Sequence, residues 1–170
     1  GFEAYWEIPA GETTAVHGRW VNAPGDALFQ VLQAHFDPLP LVAEDLGIIT
    51  REVTALRERY ALPGMCVLQF AFDGGADNPY PPHRHDRNSV VYTGTHDNDT
   101  TLAWFEGLTP EQQHRVGDYL GFPAEPMPWP LIRAALASVA DLAIVPMQDV
   151  LALGAGQRMN TPGIAGGNRT

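Results

Sequence analysis

A short polar stretch, His96-Asp97-Asn98-Asp99, has the residue types and the position of a catalytic site. It follows Val90-Val91-Tyr92, an apolar run whose β-branched and aromatic residues predict a strand buried on both faces. The residues from Thr100 onward predict a helix. The stretch therefore lies at the carboxyl end of a buried strand, where α/β folds place their chemistry. His96 on its own could be a ligand, a base or a hydrogen-bonding group.

Acidic residues also follow the other apolar runs that we predict as strands: Glu44-Asp45, Asp73 and Asp149. The carboxyl ends of parallel strands meet on one face of a sheet, so we expect these carboxylates to converge with Asp97. Convergent carboxylates bind a metal ion, or they provide general-acid and electrostatic catalysis on a sugar. The residue types leave both possibilities open.

The plainer alternative is that these acids cap the helices that follow them, because a carboxylate at a helix N-terminus accepts free backbone N–H groups. We favour that interpretation for Asp45 and for Asp99. Glu44 differs, since Glu is a poor N-cap and this one directly follows an apolar run. Glu44 is therefore a second candidate for catalysis beside the 96–99 stretch.

Four aromatic side chains could stack on sugar rings: Phe70, Phe72, Tyr80 and Trp104. At strand spacing Phe70 and Phe72 point to the same face, so one or both could equally belong to the core. His83 and His85 lie in a long proline-rich loop, 73–88, and we predict a surface role for both.

The composition narrows the classes of function. The 170 residues carry a formal net charge of −10, which disfavours nucleic acid and anionic membranes as partners. Lys is absent, so a Schiff-base lysine, a pyridoxal phosphate site and a Walker A loop are excluded. Cys66 is the single cysteine, which excludes an internal disulfide and a Cys-cluster zinc site, and we predict a core position for it. No apolar stretch of about 20 residues and no signal peptide is visible, and we predict a cytoplasmic protein.

The apolar pattern predicts four strands that alternate with helices. The strands are 41–43, 66–72, 90–92 and 142–145, and the helices are 27–36 after an N-cap at Asp26, 51–60 after Thr50, one from Thr100, 110–120 after Thr109, and 129–139. This βα succession implies an α/β fold with a mainly parallel sheet. Two architectures fit: a small doubly wound sheet, or half of a (β/α)₈ barrel, which needs roughly 250 residues when complete.

Four motifs occur along the chain in a specific order. They are Ala-Glu-Asp-Leu-Gly at 43–47, Gly-Met-x-Val-Leu-Gln-Phe-Ala-Phe at 64–72, Thr-Gly-Thr-His-Asp-Asn-Asp-Thr at 93–100 and Arg-Met-Asn-Thr-Pro-Gly at 158–163. Together they resemble the amylomaltases, which are 4-α-glucanotransferases also called disproportionating enzymes. The opening Gly-Phe-Glu-Ala-Tyr-Trp-x-Ile-Pro-Ala-Gly-Glu is similar to that family too, so the resemblance covers nearly the whole chain.

The resemblance implies a retaining transfer of α-1,4-glucan segments on the C-terminal half of a (β/α)₈ barrel. By the motif match, Glu44 is the general acid/base. Asp97 matches the acid that binds the donor sugar's hydroxyls and supports its distortion toward an oxocarbenium ion, and His96 is expected to donate to the same hydroxyls. Further substrate contacts are expected from Phe70, Asp73, Asn98 and Asn160.

The implied substrates are maltooligosaccharides, starch or glycogen, with no cofactor and no metal ion. An α-amylase-type hydrolase with water as the acceptor would share this chemistry. A fragment that binds glucan without cleaving it is a rival from another class.

The chain departs from the family pattern at both ends. The family's nucleophile is an Asp in an Arg-x-Asp-His-Phe-Arg motif that ends just before the family's Gly-Phe, and this sequence begins at that Gly-Phe. Ile164 stands where the family has Thr. We therefore expect 1–170 to be a single segment of a partial catalytic barrel. The missing N-terminal half is its expected partner, and we expect the segment to be inactive alone.

Overall fold

The computed structural model of the chain describes residues 1–75 and 77–164. The chain divides into two units, Gly1–Gly64 and a second that begins at Met65. Each unit contains helices and a small sheet, so the mixed α/β class predicted from the sequence is confirmed. Within the described residues, every helix is too short or too polar to cross a membrane.

The first unit contains an antiparallel pair of strands and two helices: β1 (Ala4–Glu7), β2 (Arg19–Asn22), α1 (Gly25–Gln33) and α2 (Arg51–Arg59). Trp6 lies opposite Trp20 across the strand pair, and their rings are 5.4 Å apart. The N-cap of α2 is Thr50, as predicted, because its hydroxyl accepts the Val53 N–H at 3.4 Å. The small core of this unit is formed by Phe29, Tyr60 and Leu62.

The predicted N-cap at Asp26 is wrong. Helix α1 begins at Gly25, two residues earlier than predicted, with Pro24 as its N-cap, and Asp26 lies inside its first turn. Its carboxylate accepts from Arg59 at 2.6 Å and from the Tyr60 hydroxyl at 2.9 Å. These two hydrogen bonds lower the pKa of Asp26, and they tie α1 to the end of α2.

The second unit is built on a three-stranded sheet in the order β3 (Gly64–Val67), β4 (Ser89–Tyr92) and β5 (Leu142–Ile144). Strands β4 and β5 are parallel, with Val90 opposite Leu142 and Tyr92 opposite Ile144. The predicted parallel pairing is therefore confirmed for these two strands. The segments that follow β4 and β5 therefore leave the sheet at the same end, where the carboxyl ends of both strands lie.

The described part of the second unit contains four α-helices: α3 (Thr101–Glu106), α4 (Pro110–Leu120), α5 (Trp129–Leu136) and α6 (Met147–Val150). Helix α4 starts with the predicted capping box, in which Thr109 and Gln112 bond each other's backbone N–H groups, and it ends at Gly121 with φ +75°. Glycine suits that left-handed position because it has no Cβ to clash with the backbone. These local signals account for the placement of α4.

The core of the second unit consists of Leu68, Val91, Leu131 and Ala135. Cys66 packs against this core, as predicted. Phe72 and Trp104 also pack there, with ring centroids 5.9 Å apart. Of the four aromatic residues considered for sugar stacking, these two are therefore core residues.

Two of the predicted strands differ from the structure. Residues 41–43 form no strand, although the Ala43 N–H donates to the Pro63 carbonyl at 2.8 Å. Leu41 and Val42 are exposed, so the apolar run lacks the burial that its composition predicts. The strand predicted at 66–72 ends at Val67, because the chain turns into a 3₁₀ helix over Leu68–Phe70. Phe70 and Phe72 therefore do not share a strand face.

Candidate active site

The polar stretch lies in a loop, residues 94–100, that joins β4 to α3. This 94–100 loop leaves the sheet beside the segment that follows β5, since the two strands are parallel. The prediction that the stretch follows a buried strand is confirmed, because Val90 and Val91 are 2% and 0% exposed. The loop's position is the one that α/β folds use for binding and catalysis.

Asp97 is the centre of a hydrogen-bonded group in this loop. The Asn160 side-chain amide donates to its Oδ1, and His96 Nε2 lies 3.3 Å from the same oxygen. The His96 and Asp97 side chains remain 58% and 49% exposed. The carboxylate is thus oriented by neighbours and still open to a ligand.

Arg158 joins the two chain segments that meet at Asp97. Its Nη2 donates to the Asp97 carbonyl at 2.6 Å, and its Nε donates to the Asn160 carbonyl at 2.8 Å. Its Nη1 lies 4.0 Å from Asp99 Oδ2. One guanidinium therefore holds the backbone of both residues, which uses the fork of donors that Arg provides.

Asn98 has an internal role in the loop. Its Oδ1 accepts from the Thr95 N–H at 2.9 Å and from the Thr95 hydroxyl at 2.8 Å. The Asp97 N–H in turn donates to the Thr95 hydroxyl at 3.2 Å. The Asn98 side chain thereby shapes the turn that presents Asp97.

The expected cap at Asp99 is wrong in detail. The N-cap of α3 is Thr100, whose hydroxyl accepts the Ala103 N–H at 3.2 Å. Asp99 accepts from the Thr100 N–H at 2.8 Å, and its carbonyl accepts from the buried Gln69 side chain at 2.9 Å. Gly94 allows Gln69 to approach, since a Cβ there would lie 2.6 Å from Gln69 Nε2.

A buried carboxylate lies beneath the loop. Asp149, in α6, is 1% exposed. Its Oδ2 accepts from the Thr93 hydroxyl at 2.6 Å and from the Thr101 hydroxyl at 2.7 Å, and its Oδ1 accepts from the Thr101 N–H at 2.7 Å. Asp149 therefore contacts the residues at the two ends of the loop that carries Asp97, and its described hydrogen bonds are to threonines.

Phe70 and Asp73 lie together in another part of the second unit. They line an open cavity of about 450 Å³ with Asn78 and Tyr80. The Asn78 amide donates to the Phe70 carbonyl at 2.8 Å and to the Asp73 carbonyl, and the Phe70 and Tyr80 rings meet edge to face at 5.5 Å. Asp73 is exposed. An aromatic pair beside an exposed carboxylate is suited to a polar ligand with an apolar face.

Glu44 belongs to the first unit and is exposed. It lies on the wall of a cavity of about 540 Å³ whose other lining residues are mostly apolar, among them Leu28, Leu32 and Val42. The neighbouring Asp45 was predicted to cap a helix. It is instead 3.4 Å from the Arg57 guanidinium, and Thr50 takes the cap, so that prediction is wrong.

His85 also differs from its prediction. It is 8% exposed, whereas His83 is exposed as predicted. Its Nε2 donates to the Tyr80 carbonyl at 2.7 Å, so its Nδ1 accepts from the Ser138 hydroxyl, also at 2.7 Å. Burial lowers the pKa of His85, because a charged imidazolium loses its hydration there.

The structure therefore brings together four of the predicted site residues: His96, Asp97, Asn98 and Asn160. Phe70 and Asp73 form a separate pair, and Glu44 is part of the other unit. Sequence reasoning missed the supporting roles of Arg158, Gln69 and the threonines around Asp149. Arg158 and Gln69 belong to the family motifs at 158–163 and 64–72, and that membership could have indicated their roles. Within residues 1–75 and 77–164, no three His, Cys, Asp or Glu side chains are grouped as metal ligands would be.

The chain is similar to known proteins along nearly its whole length. The glycoside hydrolase 77 family model, described as 4-alpha-glucanotransferase, matches residues 1–169. The 4-alpha-glucanotransferase of Thermus thermophilus is 55% identical over 99% of this chain, and that of Synechocystis is 54% identical over 99%. The chain spans about a third of these relatives' length, 35% and 34%.

Solved structures of amylomaltases also match this chain. The amylomaltase from Streptococcus agalactiae in complex with acarbose superposes with a TM-score of 0.92 at 38% identity, covering 98% of this chain and 34% of that one. The amylomaltase from Corynebacterium glutamicum, at 16% identity and a TM-score of 0.67, supports the fold alone. The sequence and structural matches agree, and the chain belongs to the 4-alpha-glucanotransferase family.

Proposed function

We propose that this chain supplies the acid/base residue and a sugar-binding carboxylate to a retaining 4-alpha-glucanotransferase. The observation that carries the proposal is the half-exposed Asp97 carboxylate, which is oriented by Asn160 and His96 at the carboxyl end of β4. Membership of the family supports it. The proposed substrates are α-1,4-glucans: maltooligosaccharides, starch or glycogen.

Glu44 is the proposed general acid/base. In the first step its protonated carboxyl donates to the glycosidic oxygen of the departing glucan while the nucleophile attacks the anomeric carbon. In the second step the ionised carboxylate removes a proton from the 4-hydroxyl of the incoming glucan. The 4-oxygen attacks the anomeric carbon as the bond between that carbon and the nucleophile breaks, and the α configuration is retained because two inversions have occurred.

Asp97 is the proposed partner of the donor sugar. An ionised carboxylate accepts hydrogen bonds from two sugar hydroxyls and opposes the positive charge that grows on the ring. His96 lies close enough to share those hydroxyls. Asn160 would then hold the Asp97 carboxylate in place. Asn98 would contact the substrate only from the rim of the turn, because its Oδ1 is bonded to Thr95.

Phe70 and Asp73 are proposed as a second sugar contact. A pyranose ring has an apolar face that packs on an aromatic ring, and its hydroxyls donate to a carboxylate. The cavity beside Phe70 and Tyr80 offers both groups. We assign it to the acceptor glucan.

We propose that the chain is the C-terminal half of a (β/α)₈ barrel and that its partner is the N-terminal half. The parallel β4–β5 pair and the superposition on one third of an amylomaltase support this. The exposed apolar run at 41–43 would become a strand once a neighbouring strand pairs with it. The nucleophile, an Asp by the family pattern, would come from that partner half. In the proposed chemistry the reacting groups of the enzyme are carboxylates, and no cofactor takes part. The cytoplasmic location stays a prediction.

A chimera tests the proposed function. Residues 1–170 replace the matching third of the Thermus thermophilus relative, and the product is incubated with maltotriose. We expect glucose together with maltopentaose and longer products, and we expect the 170-residue chain alone to yield neither. Reducing ends without longer products would indicate a hydrolase, and acarbose binding without turnover would indicate a binding fragment.

The unmodified relative is the control for the assay. Transfer by the 170-residue chain alone at a rate near that of the chimera would contradict the proposed need for a partner half, because a retaining mechanism requires a nucleophile.

A further inference from the structure

We propose that Asp149 is a positioning residue that fixes the 94–100 loop and thereby the Asp97 carboxylate; this rests on the proposed function. Asp149 lies too deep to touch a sugar, since it is 1% exposed. It can therefore affect the reaction only through the residues that it holds.

The contacts of Asp149 lie at both ends of the loop. Thr93 directly follows β4, and Thr101 is the first residue of α3. Both hydroxyls donate to the same carboxylate oxygen, at 2.6 Å and 2.7 Å. One buried group thus determines how far apart the two ends of the 94–100 loop lie.

The second carboxylate oxygen serves the start of α3. It accepts the Thr101 N–H at 2.7 Å, one of the backbone donors that a helix leaves unsatisfied at its N-terminus. Thr93 and Thr101 are themselves 0% exposed, so water does not replace any of these bonds. Hydrogen bonds to a charged acceptor in such surroundings are short and directional, which suits a positioning role.

The effect is specific to a carboxylate. The Asp149→Asn substitution keeps the shape but cannot satisfy all three donors. An amide that turns its oxygen to the hydroxyls points its NH₂ at the Thr101 N–H, and the opposite orientation leaves both hydroxyls without their acceptor. We expect the loop to loosen while the rest of the unit stays folded.

The experiment compares Asp149→Asn with Asp118→Asn in the chimera. Asp118 is exposed on α4 and provides the same chemical change away from the loop. We expect Asp149→Asn to lower kcat on maltotriose by at least ~10-fold with KM changed by less than about 3-fold, because a misplaced Asp97 fails mainly in the transition state. Hydrogen exchange should accelerate in 93–101 and not elsewhere, and Asp118→Asn should match the parent in both measurements.

Thr93 supplies a second test. Thr93→Val removes the hydroxyl and should reproduce the loss of kcat, whereas Thr93→Ser should retain most of it. Combining Thr93→Val with Asp149→Asn should lower kcat little further, since the two substitutions break the same Thr93–Asp149 hydrogen bond.

The outcomes separate the two claims. Unchanged kcat and unchanged exchange in 93–101 would overturn the positioning role. An equal loss of kcat, substrate binding and exchange protection throughout the unit would also overturn it, in favour of a general structural role. A parent chimera that fails to transfer glucan would count against the proposed function, and the exchange measurement would still decide the role of Asp149.

Discussion

The Asn160 side-chain amide donates a hydrogen bond to the carboxylate of Asp97, 63 residues earlier in the chain. This bond joins two of the four family motifs at one point of the second unit. It leaves Asp97 about half exposed, so a ligand can reach the carboxylate without displacing its partner. Under the proposed function, this bond lets a residue far along the chain orient the carboxylate that binds the sugar.

Replacing the donor by a second carboxylate should disturb this site. Asn160→Asp replaces the hydrogen bond from the amide by repulsion between two carboxylates. Asp97 then loses its orientation and accepts hydrogen bonds from the sugar hydroxyls less well. We expect acarbose to bind the chimera at least ~10-fold more weakly by titration calorimetry. Asn22→Asp, on the exposed β2, adds the same charge in the first unit and is the control. Equal affinity in both variants would contradict the role given to Asn160.

Gly94 should resist enlargement. A methyl group there would lie 2.6 Å from Gln69 Nε2 and 3.3 Å from the Asn98 Cβ, so Gln69 must move and lose its bond to the Asp99 carbonyl. We expect Gly94→Ala to reduce kcat/KM on maltotriose by at least ~10-fold. Gly107→Ala is the control, since its nearest neighbour would lie at an ordinary 3.4 Å. Full activity in Gly94→Ala would mean that the Gln69 bond does not matter for the loop.

His85 should make stability depend on pH. Burial lowers its folded-state pKa, and the charge of His83 acts in the same direction, while the Tyr80 hydrogen bond and Asp86 oppose it. The unfolded chain therefore binds more protons than the folded one as the pH falls below about 6.5. The stabilisation is complete above that pH and is lost on acidification.

The measurement is the Tm of the chimera at pH 7.5 and pH 5. We expect the acid-induced fall to be smaller in His85→Gln than in the parent, because the variant has no imidazole to protonate at that site. His17→Gln, at an exposed position, should keep the parent's fall. Identical falls in all three proteins would show that His85 is not excluded from protonation.

Much of the second unit could be predicted because its signals are local. Thr109 and Gln112 specify the start of α4 within four residues, and Gly121 specifies its end. The apolar run at 90–92 identified β4, and the polar residues after it identified the 94–100 loop. The family motifs predicted that Asp97 and Asn160 belong to one site, and the structure shows a hydrogen bond between their side chains.

The remaining features depend on partners that are distant in sequence. His85 is buried because it meets Ser138, 53 residues away, and nothing in the proline-rich loop indicates that contact. Asp149 was expected to face the site, but its donors are Thr93 and Thr101, which have no charge to mark them. For residues 41–43 the sequence predicted a strand that the structure lacks. The composition of this run favours a strand, but the first unit supplies no adjacent strand to pair with it.

We propose different roles for Glu44 and Asp97, and the dependence of the rate on the leaving group distinguishes them. Both variants, Glu44→Gln and Asp97→Asn, are measured in the chimera on maltotriose and on α-glucosyl fluoride, with Glu58→Gln on the exposed face of α2 as control. Fluoride departs without a proton, so only the loss caused by a missing acid can be recovered with it.

We predict that Glu44→Gln lowers the rate on maltotriose by at least ~10²-fold and largely recovers in the first step on glucosyl fluoride. Asp97→Asn should be impaired on both donors, because it stabilises the sugar and not the leaving group. If Glu44→Gln is equally impaired on both donors while Asp97→Asn recovers on the fluoride, the two roles are assigned wrongly.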